Sequence, residues 1–270
     1  MSDDAKVVMG DMDARRALGR STGGAVTGRE LGEPATLLES AWGDFVFSEV
    51  WSRPNLDLRS RFLISIAGAA SERGDTPRLR DYVRGALAGE HITLAELREA
   101  ALHCAVYCGF STGEAIDSAA SAVATALDLP PAPVIPVCDG PWDIAGRTQK
   151  GSEAFEAVMT FGGPQPTTAY FDAGILNFVF GEMWCREGLD ERARRWLTLV
   201  GVSNSSMEIP IKTHIYAAMA SGNASSVEMD EFVLQYALHA GWPRASFIQG
   251  VVLEMAAKVE QGLDFAGRAR

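Results

Sequence analysis

The chain has 270 residues, 47% hydrophobic and 22% charged, the profile of an ordinary globular protein with a sizeable core and room for two domains. A formal charge of −11 argues against nucleic acid and anionic membrane surfaces as partners. Four cysteines without a CxxC pair are too few for a disulfide framework, and the opening MSDDAK is acidic where a signal peptide is basic. A cytoplasmic protein without a membrane span is expected.

Residues 1 to about 35 mix charge with Gly and Thr and read as a loop-rich arm with a short helix around Met12 to Leu18. From Ala35, ATLLESAWGDFVFSEVW places Leu38, Trp42, Phe45 and Glu49 at helical spacings of three or four, until Arg53-Pro54 breaks the helix. LDLRSRFLISIAGAASERG is a strongly apolar helix with Asp57 as N-cap and an end near Gly74, and a third helix runs from about Pro77 to Gly89.

The chemistry concentrates in the next helix, Leu94 to Phe110. Glu96, Glu99, His103 and Tyr107 form a polar stripe on it, beside an apolar stripe of Leu97, Ala101, Cys104 and Cys108. Thr93 with Glu96 three residues on is a capping box, which favours a helix-start role for Glu96 over a catalytic one. Cys104 and Cys108 lie about a turn apart on one helix, where a disulfide would distort it, so they read as packing thiols. A small-residue helix, SAASAVATAL, closes the first half. No segment sustains strand alternation, so the expected fold is all-α.

Prolines at 130, 131, 133, 136 and 141 mark residues 128–150 as an extended linker between domains at 1–127 and 151–270. The second half then repeats the first. With an offset of 133, ten of the seventeen residues from Phe45 to Arg61 are identical to those from Phe178 to Arg194, where about one identity is expected by chance. Further on the offset is 132, which pairs Tyr82 with His214, Glu99 with Glu231, His103 with Gln235 and Tyr107 with His239. The pattern implies a tandem duplication in which the scaffold is kept and the polar stripe edited.

The run FSEVWSRPNLDLRSRFLISIAG, with LRDYVRGALAG and TLAELREAALHCAVYCGFS after it, resembles the carboxymuconolactone decarboxylase family. The resemblance covers residues 35 to 120 well and 170 to 250 more weakly. It implies an all-helical, cofactor-free fold assembling into rings of six units, so that a two-unit chain would form a homotrimer. Redox relatives of this family, similar to the alkyl hydroperoxide reductase D component, use a C-x-x-C-x-x-x-H segment and a Glu. Here the matching positions hold Asp75, Arg78, Tyr82 and Phe62 in one half and Met207, Pro210, His214 and Arg195 in the other. With no thiol at either position, that chemistry has no nucleophile.

The resemblance therefore points to a cofactor-independent lyase or isomerase acting on a carboxylated lactone or a related enolisable small molecule, polycyclic ones included. Loss of CO2 needs donors that hold electrons delocalised onto a sink and a weak acid that protonates carbon. The candidate catalytic residues are His103, Tyr107, Glu99 and His214, with Glu99 fixing the His103 tautomer. His103 also reads as a core histidine. Arg61, Tyr82, His239 and Trp51 are the candidate substrate-binding residues, although Arg61 suits a structural ion pair equally well and Trp51 reads first as a core anchor. No metal site and no nucleotide-binding loop is indicated. The competing reading is a non-catalytic binding or scaffolding ring, since Gln235 replaces His103 in the second half.

Overall fold

A computed structural model describes residues 11–141 and 143–269; the acidic opening MSDDAK lies outside them. The regular elements of the described residues are all helices, with a single isolated bridge between Leu263 and Ala269. No helix among them is long and apolar enough to cross a membrane.

Helix α1 (Met12–Thr27) starts at Asp11, whose carboxylate accepts from the amides of Asp13 and Ala14, and stops at Gly28 in the left-handed conformation. This helix corrects the expectation of a loop-rich arm. Its glycines, poor helix formers in isolation, let α1 approach its neighbours closely: a Cβ at Gly19 would strike the carbonyl of Gly43 and one at Gly23 the ring of Phe47. Packing overrides propensity here.

Helix α2 (Leu37–Ala41) runs on as a π-helical segment over Trp42–Trp51. Helix α3 (Leu58–Arg73) is capped by Asp57 through the amide of Ser60 and ends at Gly74. Helix α4 (Pro77–Ala88) starts at Thr76, and α5 (Leu94–Cys108) carries both bonds of the Thr93–Glu96 capping box. Helix α6 (Phe110–Ala126) completes the first half.

The linker is extended only to Asp143; residues 144–150, expected as linker, are the opening turns of α7 (Ile144–Met159). They become helical because Asp143 caps them through the amide of Gly146. There follow a second π segment (Tyr170–Phe180), a 3₁₀ turn (Met183–Cys185), α8 (Glu191–Ser205), α9 (Glu208–Ala220), α10 (Ser226–Ala240) and α11 (Trp242–Glu260). The order of elements in the first half thus recurs in the second.

Buried apolar residues of both halves form one continuous core, from Phe62 and Tyr82 to Trp196 and Phe232. Reciprocal ion pairs hold the halves together. Arg53 and Arg61 both reach Glu231 of α10, at 2.8 and 2.9 Å. In return Arg186 grips Glu99 of α5 at 2.5 Å. Arg59 pairs with Asp190, and Arg192 with Asp57, so each half donates an arginine to the N-cap of the other half's buried helix. Arg186 also holds the linker through the carbonyls of Ile135 and Pro136.

Helices α1 and α4 meet where Gly85 faces the carbonyl of Val26, well inside van der Waals contact for any added Cβ. Gly85→Ala should therefore cost about 1–3 kcal/mol by overpacking, despite alanine's better helix propensity. A thermal melt of the variant checks this; an unchanged or raised midpoint would show that the α1–α4 contact is slack.

Candidate active site

The site lies where α5 of the first half meets α8, α9 and the 3₁₀ turn of the second. His103, fully buried, places its Nε2 2.8 Å from the Thr198 hydroxyl on α8. Its ring lies 5.1 Å from Tyr107 and meets Trp184 edge-on at 5.1 Å. Trp184 donates its indole N–H to the Tyr107 hydroxyl at 2.8 Å, which leaves the phenol free to donate its own proton. Across the Tyr107 ring, His214 of α9 stands edge-on at 5.6 Å.

The close approach of α5 and α8 depends on Gly201, where a Cβ would lie 2.8 Å from that of Tyr107. Above Trp184, at 5.0 Å from the ring, sits the guanidinium of Arg195. Arg195 is 1% exposed and its Nη2 donates to the carbonyl of Val158. Its Nε and Nη1 have no partner, nor do Nδ1 of His103 and Nδ1 of His214.

Burial sets the protonation states. It holds His103 well below the ordinary imidazole value, helped by Arg194, His214 and Arg195, and takes His214 down to about 3, helped by Arg195. Both imidazoles are neutral at pH 7. Burial lifts Tyr107 to about 12, against the opposing pull of Trp184 and Arg195, so its proton is firmly held. Burial also lowers the Arg195 pKa, but a guanidinium remains charged. The cluster is a set of neutral donors and acceptors beside the Arg195 cation, with Arg194 also acting on His103.

Of the residues singled out from sequence, His103, Tyr107 and His214 come together. Glu99 does not join them: its carboxylate is held by Arg186, so it fixes no imidazole tautomer, and Thr198 takes that place. Nor does Arg61, which is buried and committed to Glu231, Gln235 and the carbonyl of Arg53. Tyr82, His239 and Trp51 form a separate cluster in the mirror position, with Tyr82 5.6 Å from Trp51 and 5.5 Å from His239. Gln235 stands there for His103 and bonds Ser65 at 2.8 Å, as His103 bonds Thr198.

Sequence reasoning missed Arg195, Thr198 and Trp184 as site members. Arg195 left a signal: it is a charge in an apolar helix at the position where the first half has Phe62. Among the described residues, no three His, Cys, Asp or Glu side chains gather as a metal ion would require. Two open cavities, of about 530 and 650 Å³, lie elsewhere, beside Trp42 and Arg78 and under the linker at Arg98 and Ile135; neither is lined by the site residues. Tyr107 is the partly exposed member of the ring cluster.

Residues 37–125 match the carboxymuconolactone decarboxylase family. Over this segment the chain is similar to that family. The nitrosuccinic acid decarboxylase npaB of Metarhizium robertsii is 36% identical over 104 residues, 38% of this chain and 64% of that protein. The 4-carboxymuconolactone decarboxylase of Acinetobacter baylyi is 36% identical over 87 residues, 32% of this chain and 63% of that protein. The chain thus spans just under two thirds of the length of these relatives. The family segment contains His103 and Tyr107, whereas Trp184, Arg195, Thr198 and His214 come from beyond it.

Proposed function

We propose that the chain is a cofactor-independent lyase that removes CO2 from an activated carboxylic acid, at one composite site made by both halves of the chain. The observation that carries this reading is the junction of His103 and Tyr107, from the family segment, with His214 and Arg195 of the second half. Both relatives named above are decarboxylases, one acting on nitrosuccinic acid and the other on a carboxylated lactone.

In such a reaction the bond from carbon to carboxylate breaks and CO2 leaves. The electron pair passes into a nitro or carbonyl sink, and one proton is taken up at carbon. The chain's own groups suit these demands. The Tyr107 phenol and the two imidazoles are hydrogen-bond donors for the sink oxygen, and the Arg195 cation offsets the charge that builds there. A neutral imidazole becomes more basic as negative charge grows beside it, so His103 or His214 can carry the proton to carbon.

The test is CO2 release from nitrosuccinic acid, carboxylated lactones and β-keto acids. At least one should be turned over. Tyr107→Phe and His103→Gln, the latter copying Gln235, should each lower kcat/KM at least about a hundredfold. No CO2 from any of these acids would overturn the decarboxylase reading, and full activity in both variants would move the chemistry elsewhere.

We further propose the homotrimer that a ring of six units requires. Phe110 and Trp242, at equivalent positions of α6 and α11, are 65% and 52% exposed, and Phe247 and Leu253 of α11 are exposed with them. Light scattering should report about three times the chain mass; a monomer at micromolar concentration would sink the trimer.

A further inference from the structure

Arg195 is the least satisfied charge in the protein's interior. Its Nη2 is occupied by the Val158 carbonyl and by Glu191 at 3.3 Å, a half-exposed carboxylate at the edge. Nε and Nη1 are buried with no acceptor. A buried donor on a charged group is costly when unmet, and folded proteins seldom leave one so without a reason. Its surroundings inside the site add no countercharge, because His103, His214, Tyr107, Trp184 and Thr198 are all neutral. A bound anion would supply the missing acceptors.

The mirror position also has unpaired groups, the Tyr82 hydroxyl and Nε2 of His239, but no cation with free donors among them. Phe62 replaces Arg195, packing at 5.0 Å on Trp51, and Gln235 has its amide on Ser65 and its oxygen on Arg61 at 3.0 Å. The nearest other cation acting on Tyr82 and His239 is Arg78, which is engaged by Asp81 at 3.5 Å and stacked over Trp42 at 4.0 Å. An anion entering that cluster would lose its hydration and meet no free charge.

Building on the lyase reading, we infer that Arg195 is the receptor for a carboxylate that the substrate keeps, so that each chain takes one diacid, at Arg195, and the mirror cluster takes none. The electron sink faces the Tyr107 and histidine donors, while the carboxylate retained rests on Arg195 beside them. This makes Arg195 a specificity-determining residue, and diacids, rather than monoacids of the same length, the preferred class.

The probe is succinate, a diacid with no electron sink and hence inert, titrated calorimetrically into the full chain. Saturable binding at one succinate per chain is expected, with the neutral diamide not binding. Arg195→Gln should bind at least about tenfold more weakly, the loss of one charge-assisted hydrogen bond, and Phe62→Leu should bind as the parent does. If Arg195→Gln fails to fold, the Nε–Hε resonance of Arg195 in the 15N-labelled parent, assigned against Arg195→Lys, decides: it should shift with succinate along the calorimetric curve. Two sites per chain, no binding by the folded parent, undiminished binding by folded Arg195→Gln or an unmoved resonance would each overturn the assignment. Because succinate binding needs no chemistry, a chain that binds it at Arg195 yet releases no CO2 from any acid would refute the lyase reading alone.

Discussion

Acid should unfold this protein before its carboxylates titrate. His103, His214 and His239 are buried and neutral, with burial the leading cause of each depressed pKa; His214 sits at about 3 and His239 at about 4. In the unfolded chain each takes a proton near pH 6.5, so below that value the unfolded state binds more protons and stability falls with pH. The fall continues until each folded value is reached. Between pH 7 and pH 5 the three histidines together should cost about 6 kcal/mol, from roughly 1.4 kcal/mol per pH unit for each below 6.5. That is comparable with the whole stability of many domains, roughly 5–15 kcal/mol.

The carboxylates held below their ordinary range, Asp57, Asp75, Asp190, Glu96, Glu228 and Glu254, add their own losses only at lower pH. Asp81, raised by burial, acts in the opposite direction. Urea midpoints measured from pH 7 to pH 5 check the slope. A His214→Gln, His239→Gln double variant should lose about two thirds of it; an unchanged slope would show that the imidazoles are not its source.

The all-α class and the caps at Asp57 and Thr93 were legible because each rests on local spacing. Periodicity also selected His103 and Tyr107, and the family resemblance added His214. Periodicity could not say what stands opposite a helix face. Glu99 and His103 are four residues apart, which makes them neighbours on α5, yet Glu99 turns to Arg186, 87 residues on, and His103 to Thr198, 95 residues on. Arg61 looked free to clamp a substrate for the same reason: Glu231, its partner, is 170 residues away. The length of α1 was hidden because its glycines, which spoil helix propensity, are what its packing requires.

Those long-range pairs carry the second large effect. Removing Glu231 should destabilise the protein by about 3–5 kcal/mol, the usual cost of stranding a buried charge. Glu231 is 2% exposed and accepts from Arg53 at 2.8 and 2.9 Å and from Arg61 at 2.9 Å. Arg61 is fully buried, and without Glu231 it keeps only Gln235 and the Arg53 carbonyl. The mirror change, Glu99→Ala, should cost less. Arg186 there retains Glu182 at 3.1 Å and two linker carbonyls, and the buried Arg194, 3.7 Å from Glu99, keeps the carbonyls of Leu189 and Arg186. Urea denaturation of Glu231→Ala and Glu99→Ala tests the order. Replacing the pair together, as Arg61→Met with Glu231→Leu, removes the stranded charge along with its partner and should recover most of the loss. If that double variant were no more stable than Glu231→Ala, the penalty would have to come from lost packing between the halves instead of from the uncompensated guanidinium.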